Sequence, residues 1–148
     1  MIWYFNAGDV RNAAAWRALV AAGVQADPRG VTGDAGVGQP AADALLIAHA
    51  TVEWVRGNQP DAVPRFVAQL LQARERGSKF NDLSIFGDLA AEAGLAKIMS
   101  DAAAEQAVLD NTTAWQALGA PELPCLVRPD GHVLLGVAAA ATVAQFAA

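Results

Sequence analysis

The chain has 148 residues, 54% of them hydrophobic and 17% charged, with a net charge of −5. That length accommodates one domain with its own core, and the apolar content excludes a disordered chain. The acidic balance, with no basic cluster, argues against nucleic acid and anionic membrane as partners, and no apolar run reaches the roughly 18 residues a membrane-spanning helix needs.

Ile2-Trp-Tyr-Phe5 is aromatic and β-branched and reads as a short strand, broken by Asn6-Ala-Gly-Asp9. Asp9 is a good N-cap, and Val10 to Ala22 then reads as a helix with Ala13, Trp16, Leu19 and Val20 at helical spacing, closed by Gly23. Residues 24–39 are rich in Gly, Asp and Pro. They predict a brief strand near Val24 and then a loop, and the glycines at Gly30, Gly33, Gly36 and Gly38 do not form a phosphate-cradling pattern.

Pro40 suits the first position of a helix running to about Arg56, and Asn58-Gln-Pro-Asp61 is a turn. Val63, Phe66, Val67, Leu70 and Leu71 form the apolar stripe of the next helix, which ends near Gly77. Ser84 to Ala93 is a short helix ended by Gly94. Ser100 or Asp101 caps a longer one, with Val108, Trp115 and Leu118 on its apolar side and Gly119 at its end. Leu123–Val127, the turn Arg128-Pro-Asp-Gly131 and Val133–Val137 make a β-hairpin, and Ala139 to Ala148 is a final Ala-rich helix.

The resulting order, β-α-β-αααα-ββ-α, is an α/β arrangement: a thioredoxin-like fold with an inserted helical block. On this reading the whole chain, 1–148, is one domain. Its thioredoxin parts cover about 1–39 and 106–148, and the insertion covers about 40–105. In such folds the strand before the hairpin starts with a cis-proline. Pro124 takes that place, where a proline removes no ladder hydrogen bond.

Three stretches, "YFNAGDVRNAAAW", "FVAQLLQARERGSKFNDLSIFGDLAAEAGL" and "VLDNTTAWQALGAPELPCLVRPDGHVLLG", together resemble the DsbA-like branch of thioredoxin-fold proteins. That branch includes disulfide oxidoreductases, glutathione-dependent isomerases and kappa-type transferases. The closing stretch also resembles DsbC/DsbG-type isomerases. The resemblance implies a CxxC motif at the start of the first helix, or a serine there with glutathione as ligand. This chain instead carries Asp9, Val10, Arg11 and Asn12 at that place, with neither cysteine nor serine, so dithiol exchange has no attacking thiolate. Asp9 is expected to occupy the anion-favouring helix start as an N-cap, the alternative being a general base.

Cys125 is the only cysteine, which excludes an internal disulfide. Flanked by Leu and Val, it reads as a small buried hydrophobe, the alternatives being a single reactive thiol or an intermolecular disulfide. Strand alternation puts Leu123 and Cys125 on one face and Pro124 and Leu126 on the other. His49 shares a helix face with Leu45 and Val52, and His132 lies in the hairpin. The two are far apart in sequence and without neighbouring ligands, so no metal site is expected. The tryptophans Trp16, Trp54 and Trp115 fall on or beside apolar stripes.

These readings predict a thioredoxin-fold protein without redox chemistry. It would bind an extended peptide or protein partner beside Leu123 and Pro124, with Arg11 and Asn12 as further ligand contacts. The alternatives are a glutathione-linked isomerase or transferase using the same groove, in which a small thiol is the ligand, and thiol–disulfide interchange through Cys125. A homo-oligomer that buries the Ala-rich last helix is a further expectation. No cofactor other than glutathione is implied. Nothing after Met1 resembles a signal peptide, which predicts a cytoplasmic chain, or a periplasmic one if a leader has been removed.

Overall fold

A computed structural model describes residues 1–32, 40–80, 82, 84–96 and 100–148. The glycines at 33, 36 and 38 lie outside the described residues. The elements are β1 (Ile2–Phe5), α1 (Asn12–Ala21), β2 (Asp27–Gly30), α2 (Ala42–Asn58), a 3₁₀ turn (Pro60–Ala62), α3 (Val63–Glu75), α4 (Ser84–Glu92), α5 (Ala102–Ala117), β3 (Cys125–Val127), β4 (Val133–Leu135) and α6 (Ala140–Ala147).

The four strands form one sheet in the order β2-β1-β3-β4. β2 runs parallel to β1, and β3 is antiparallel to both β1 and β4. β1 is therefore central, which suits its run of Trp3, Tyr4 and Phe5, all buried.

The two faces of the sheet are covered differently. Trp3, Phe5 and Leu126 belong to the main core with Ala15, Trp16 and Leu19 of α1, Val143 of α6 and the apolar stripe Phe66, Val67, Leu70 and Leu71 of α3. Trp3 stacks on Phe5 with ring centroids 4.9 Å apart and meets Trp16 at 5.3 Å. On the other face, Tyr4, Cys125 and Val127 pack with Val31, and Trp115 of α5 closes over them. α2 stands beside β2 and packs along α5.

Several elements depart from the expectations in detail. The strand expected near Val24 is instead Asp27–Gly30. Val24 is taken up by the end of α1: Gly23 turns with φ +69°, its N–H donates to the Val20 carbonyl, and the Val24 N–H donates to the Leu19 carbonyl. This is the six-to-one closure of a Schellman cap, and it leaves Val24 no freedom to pair in a sheet. Asp27-Pro-Arg-Gly30 has poor strand propensity, but at the sheet edge Pro28 interrupts no ladder. The regular helix α1 begins at Asn12, not Val10, and α2 begins at Ala42, not Pro40. Val20 and Leu118, expected on apolar stripes, are exposed, because α1 and α5 bury only a narrow face each.

Candidate functional site

β1 runs out into the loop Asn6–Arg11, and this loop meets the segment that enters β3. The Leu123–Pro124 peptide bond is cis. The contact between the two is made by Arg11. Its guanidinium binds Asp9 through both oxygens, at 2.7 Å to Oδ2 and 3.1 Å to Oδ1, reaches Glu122 at 3.5 Å, and donates to the Leu123 carbonyl at 3.1 Å. Arg11 and Glu122 are open to solvent and Asp9 is largely covered. The Leu123 N–H has no acceptor among the described residues. Val10, half exposed, stands beside Arg11 at the same junction.

Asp9 caps a turn and not the regular helix. Its Oδ1 accepts the Arg11 N–H at 2.9 Å and its carbonyl accepts the Asn12 N–H at 3.2 Å, so it shapes the entry to α1. The helix itself has Arg11 as its first flanking residue and no side-chain cap. The expected N-cap role is thus displaced towards the loop: the carboxylate still satisfies an N–H at the helix start, and it is neutralised there by Arg11. Both oxygens of the Asp9 carboxylate are thus engaged by Arg11.

Asn12, expected beside Arg11 as a ligand contact, is fully buried, and its amide donates to the Asn6 carbonyl. It shapes the loop from beneath and cannot meet a ligand.

Two further side chains, not singled out as loop anchors from the sequence, hold the same loop from below. His49 of α2 is fully buried, edge-on to Phe5, and its Nε2 accepts the Ala7 N–H at 2.9 Å. The imidazole proton therefore sits on Nδ1, which finds no acceptor among the described residues. Burial pushes the His49 pKa down to about 4, so the ring is neutral at ordinary pH. Arg74 of α3 is buried and donates from Nε to the Gly8 carbonyl at 2.8 Å. The signal for both lies in the sequence. His49 shares its stripe with Leu45 and Val52, and Arg74 follows Val67, Leu70 and Leu71 at helical spacing. A polar group on an apolar stripe is buried, and a buried polar group needs a partner.

Cys125 lies under the junction but on the wrong face for chemistry at the helix start. It packs with Tyr4 and Val127 on the α5 side of the sheet, whereas α1 covers the opposite side. It is 1% exposed, and burial raises its pKa to about 11. Both features disfavour the thiolate that attack on a disulfide requires. Leu123 joins the same apolar cluster as Cys125, as strand alternation predicts. Among the described residues no three His, Cys, Asp or Glu side chains gather as a metal site.

Neither a protein-family model nor a curated protein sequence matches the chain. Among solved structures, the crystal structure of Proteus mirabilis ScsC in a compact conformation superposes on it with a TM-score of 0.75. The match covers 96% of this chain and 77% of the other, at 13% sequence identity. The fold is thioredoxin-like. At that identity the likeness speaks for the backbone and not for the chemistry. At the junction of the Asn6–Arg11 loop with Leu123–Pro124, the Asp9–Arg11 ion pair stands where the resemblance implies a cysteine or a serine.

Proposed function

We propose that this thioredoxin-fold chain is a binding module that works without thiol–disulfide exchange and takes an extended peptide along the Leu123 backbone. The observation that carries the reading is the Arg11 side chain laid over the Leu123 carbonyl, beside a Leu123 N–H that has no partner among the described residues. An incoming strand needs one donor and one acceptor from the same residue. The donor is open, and the acceptor is covered only by an exposed arginine that water or a peptide N–H can replace at small cost. Val10 and the half-buried Leu123 give such a peptide an apolar surface on either side. The buried, high-pKa Cys125 supports the absence of redox chemistry.

The test is an NMR titration of the native protein with short extended apolar peptides, run beside an insulin-reduction assay. Amide shifts centred on residues 9–11 and 122–125, strengthened by Arg11→Ala, are expected, with no insulin turnover under excess reductant. Turnover abolished by Cys125→Ser would overturn the non-redox reading. Shifts confined to other surfaces would overturn the groove, and shifts at these same amides with glutathione alone would replace the peptide by a small thiol.

A further inference from the structure

The two edges of the sheet are finished in opposite ways. At the β2 edge every outward carbonyl has a partner. The Pro28 carbonyl accepts from Arg56, the Gly30 carbonyl accepts from Asn111 at 3.2 Å, and Pro28 has no N–H to offer. Arg56 is held in turn by Asp27 at 2.8 Å and Glu53 at 2.6 Å. His49 lies so close to Gly30 that a Cβ there would fall 2.5 Å from the ring. Proline, charge and covering helices are the devices that keep a sheet edge from pairing.

The β4 edge has none of them. Leu134 pairs inward with Leu126, the Arg128 N–H donates to the His132 carbonyl and the Gly136 N–H to the Pro124 carbonyl. By alternation, the backbone groups of Val133 and Leu135 point away from the sheet, and they have no partner among the described residues. Leu135 and Val137 are half exposed. α5 packs against β2, and on that face only Val133 of β4 joins the cluster under Trp115.

We infer that β4 is the contact strand of a closed homodimer, in which two copies of this chain join their sheets antiparallel about a two-fold axis at Leu134. That register sets Val133 of one copy opposite Leu135 of the other, giving about four main-chain hydrogen bonds between apolar neighbours. The distribution of charge selects a second copy as the occupant. The chain carries −5, so two copies repel, yet no Lys, Arg, Asp or Glu occurs between Gly131 and Ala148. Here alone along the sheet rim can one copy meet another without like charges in contact, while a charged partner finds nothing to hold. The sealed β2 edge stops the assembly at two, with eight strands in a row. A contact between two three-residue strands falls short of the roughly 1,000 Å² of a firm interface, so the dimer is weak.

Sedimentation equilibrium from about 5 μM to 1 mM tests this. The expected weight-average mass rises from the 15.3 kDa of one chain towards twice that value and no further. Leu135→Lys should weaken association at least about tenfold with an unchanged circular dichroism spectrum, because an edge lysine blocks strand pairing. Val20→Lys, at a site as exposed but on α1, should leave association as it is. A chain that stays monomeric to 1 mM, an equal effect of both variants, or a mass that climbs past the dimer would each overturn the proposal. If Leu135→Lys perturbs the fold, hydrogen exchange of the native protein decides in its place: exchange at the Val133 and Leu135 amides should slow on concentrating the chain, and unchanged exchange overturns the dimer.

Discussion

On one side of the candidate groove, the loop from Asn6 to Asn12 is held from beneath by three buried side chains, His49, Arg74 and Asn12, each reaching a backbone group of the loop. On the other side, the Pro124 carbonyl is held within the hairpin by the Gly136 N–H at 2.7 Å, and the Leu123 carbonyl is reached by one exposed guanidinium, that of Arg11. The two holds differ in kind. A buried hydrogen bond that is lost leaves a stranded polar group in the interior, whereas an exposed one is replaced by water. The front loop is thus a fixed wall, set when α2 and α3 dock. The Arg11 contact to the Leu123 carbonyl is instead a latch that water can replace.

The sharpest way to break this comparison is His49→Ala. It opens a cavity and orphans the Ala7 N–H, so urea unfolding should register a loss of about 3–5 kcal/mol. A loss under about 1 kcal/mol would mean the wall does not depend on the imidazole.

Acid should act on the same residue without mutation. His49 has a folded-state pKa of about 4 against an ordinary 6.5, so the unfolded chain takes up this proton first as pH falls. Its contribution is intact above about pH 6.5 and is lost progressively between 6.5 and 4. The loss is roughly 3 kcal/mol in the native protein relative to His49→Phe, whose difference curve removes the carboxylates common to both. A difference curve that is flat over that interval would show that the ring is not buried neutral.

Gly30→Ala presses on the wall from the sheet side. The new Cβ would lie 2.5 Å from the His49 ring, and Gly30 is fixed in register with Phe5, so neither partner can yield freely. Thermal melts should show a loss of about 1–3 kcal/mol.

Arg11→Ala is the smallest effect on stability, under about 1 kcal/mol, because the side chain is half exposed and its ion pairs face water. Hydrogen exchange at residues 122–125 should nevertheless quicken. If Arg11→Ala cost as much as His49→Ala, the latch would be a second wall.

Much of the architecture is legible along the chain. The stripe Val63, Phe66, Val67, Leu70 and Leu71 lies buried on α3 as its spacing requires, and Asp101 caps α5 through the Ala104 N–H at 2.8 Å. The hairpin around Gly131 forms as expected, with strands shortened to Cys125–Val127 and Val133–Leu135. β2 escapes a local reading because Asp27-Pro-Arg-Gly30 lacks strand character. Its extended form comes from pairing with β1 and from the Arg56 and Asn111 side chains of α2 and α5, which no local window contains. The site is legible only in outline. The residues Asp9 to Asn12 can be placed at the junction from the sequence, but their exposure cannot: Arg11 points out and Asn12 points in, one residue apart.

The order and type of most elements follow from the periods of the apolar residues and the Gly, Pro and Asp punctuation between them, and so does the lack of a cysteine at the start of α1. Those are local properties, set by backbone sterics and by which face of each element avoids water. Packing across the molecule was needed to bring His49 and Arg74 to the Ala7 and Gly8 backbone, to turn Cys125 towards α5 and away from α1, and to seal one sheet edge while leaving the other bare. Each of these joins residues dozens of positions apart. Each depends on which elements dock together, and that is settled by the burial of the whole core and not by any one segment.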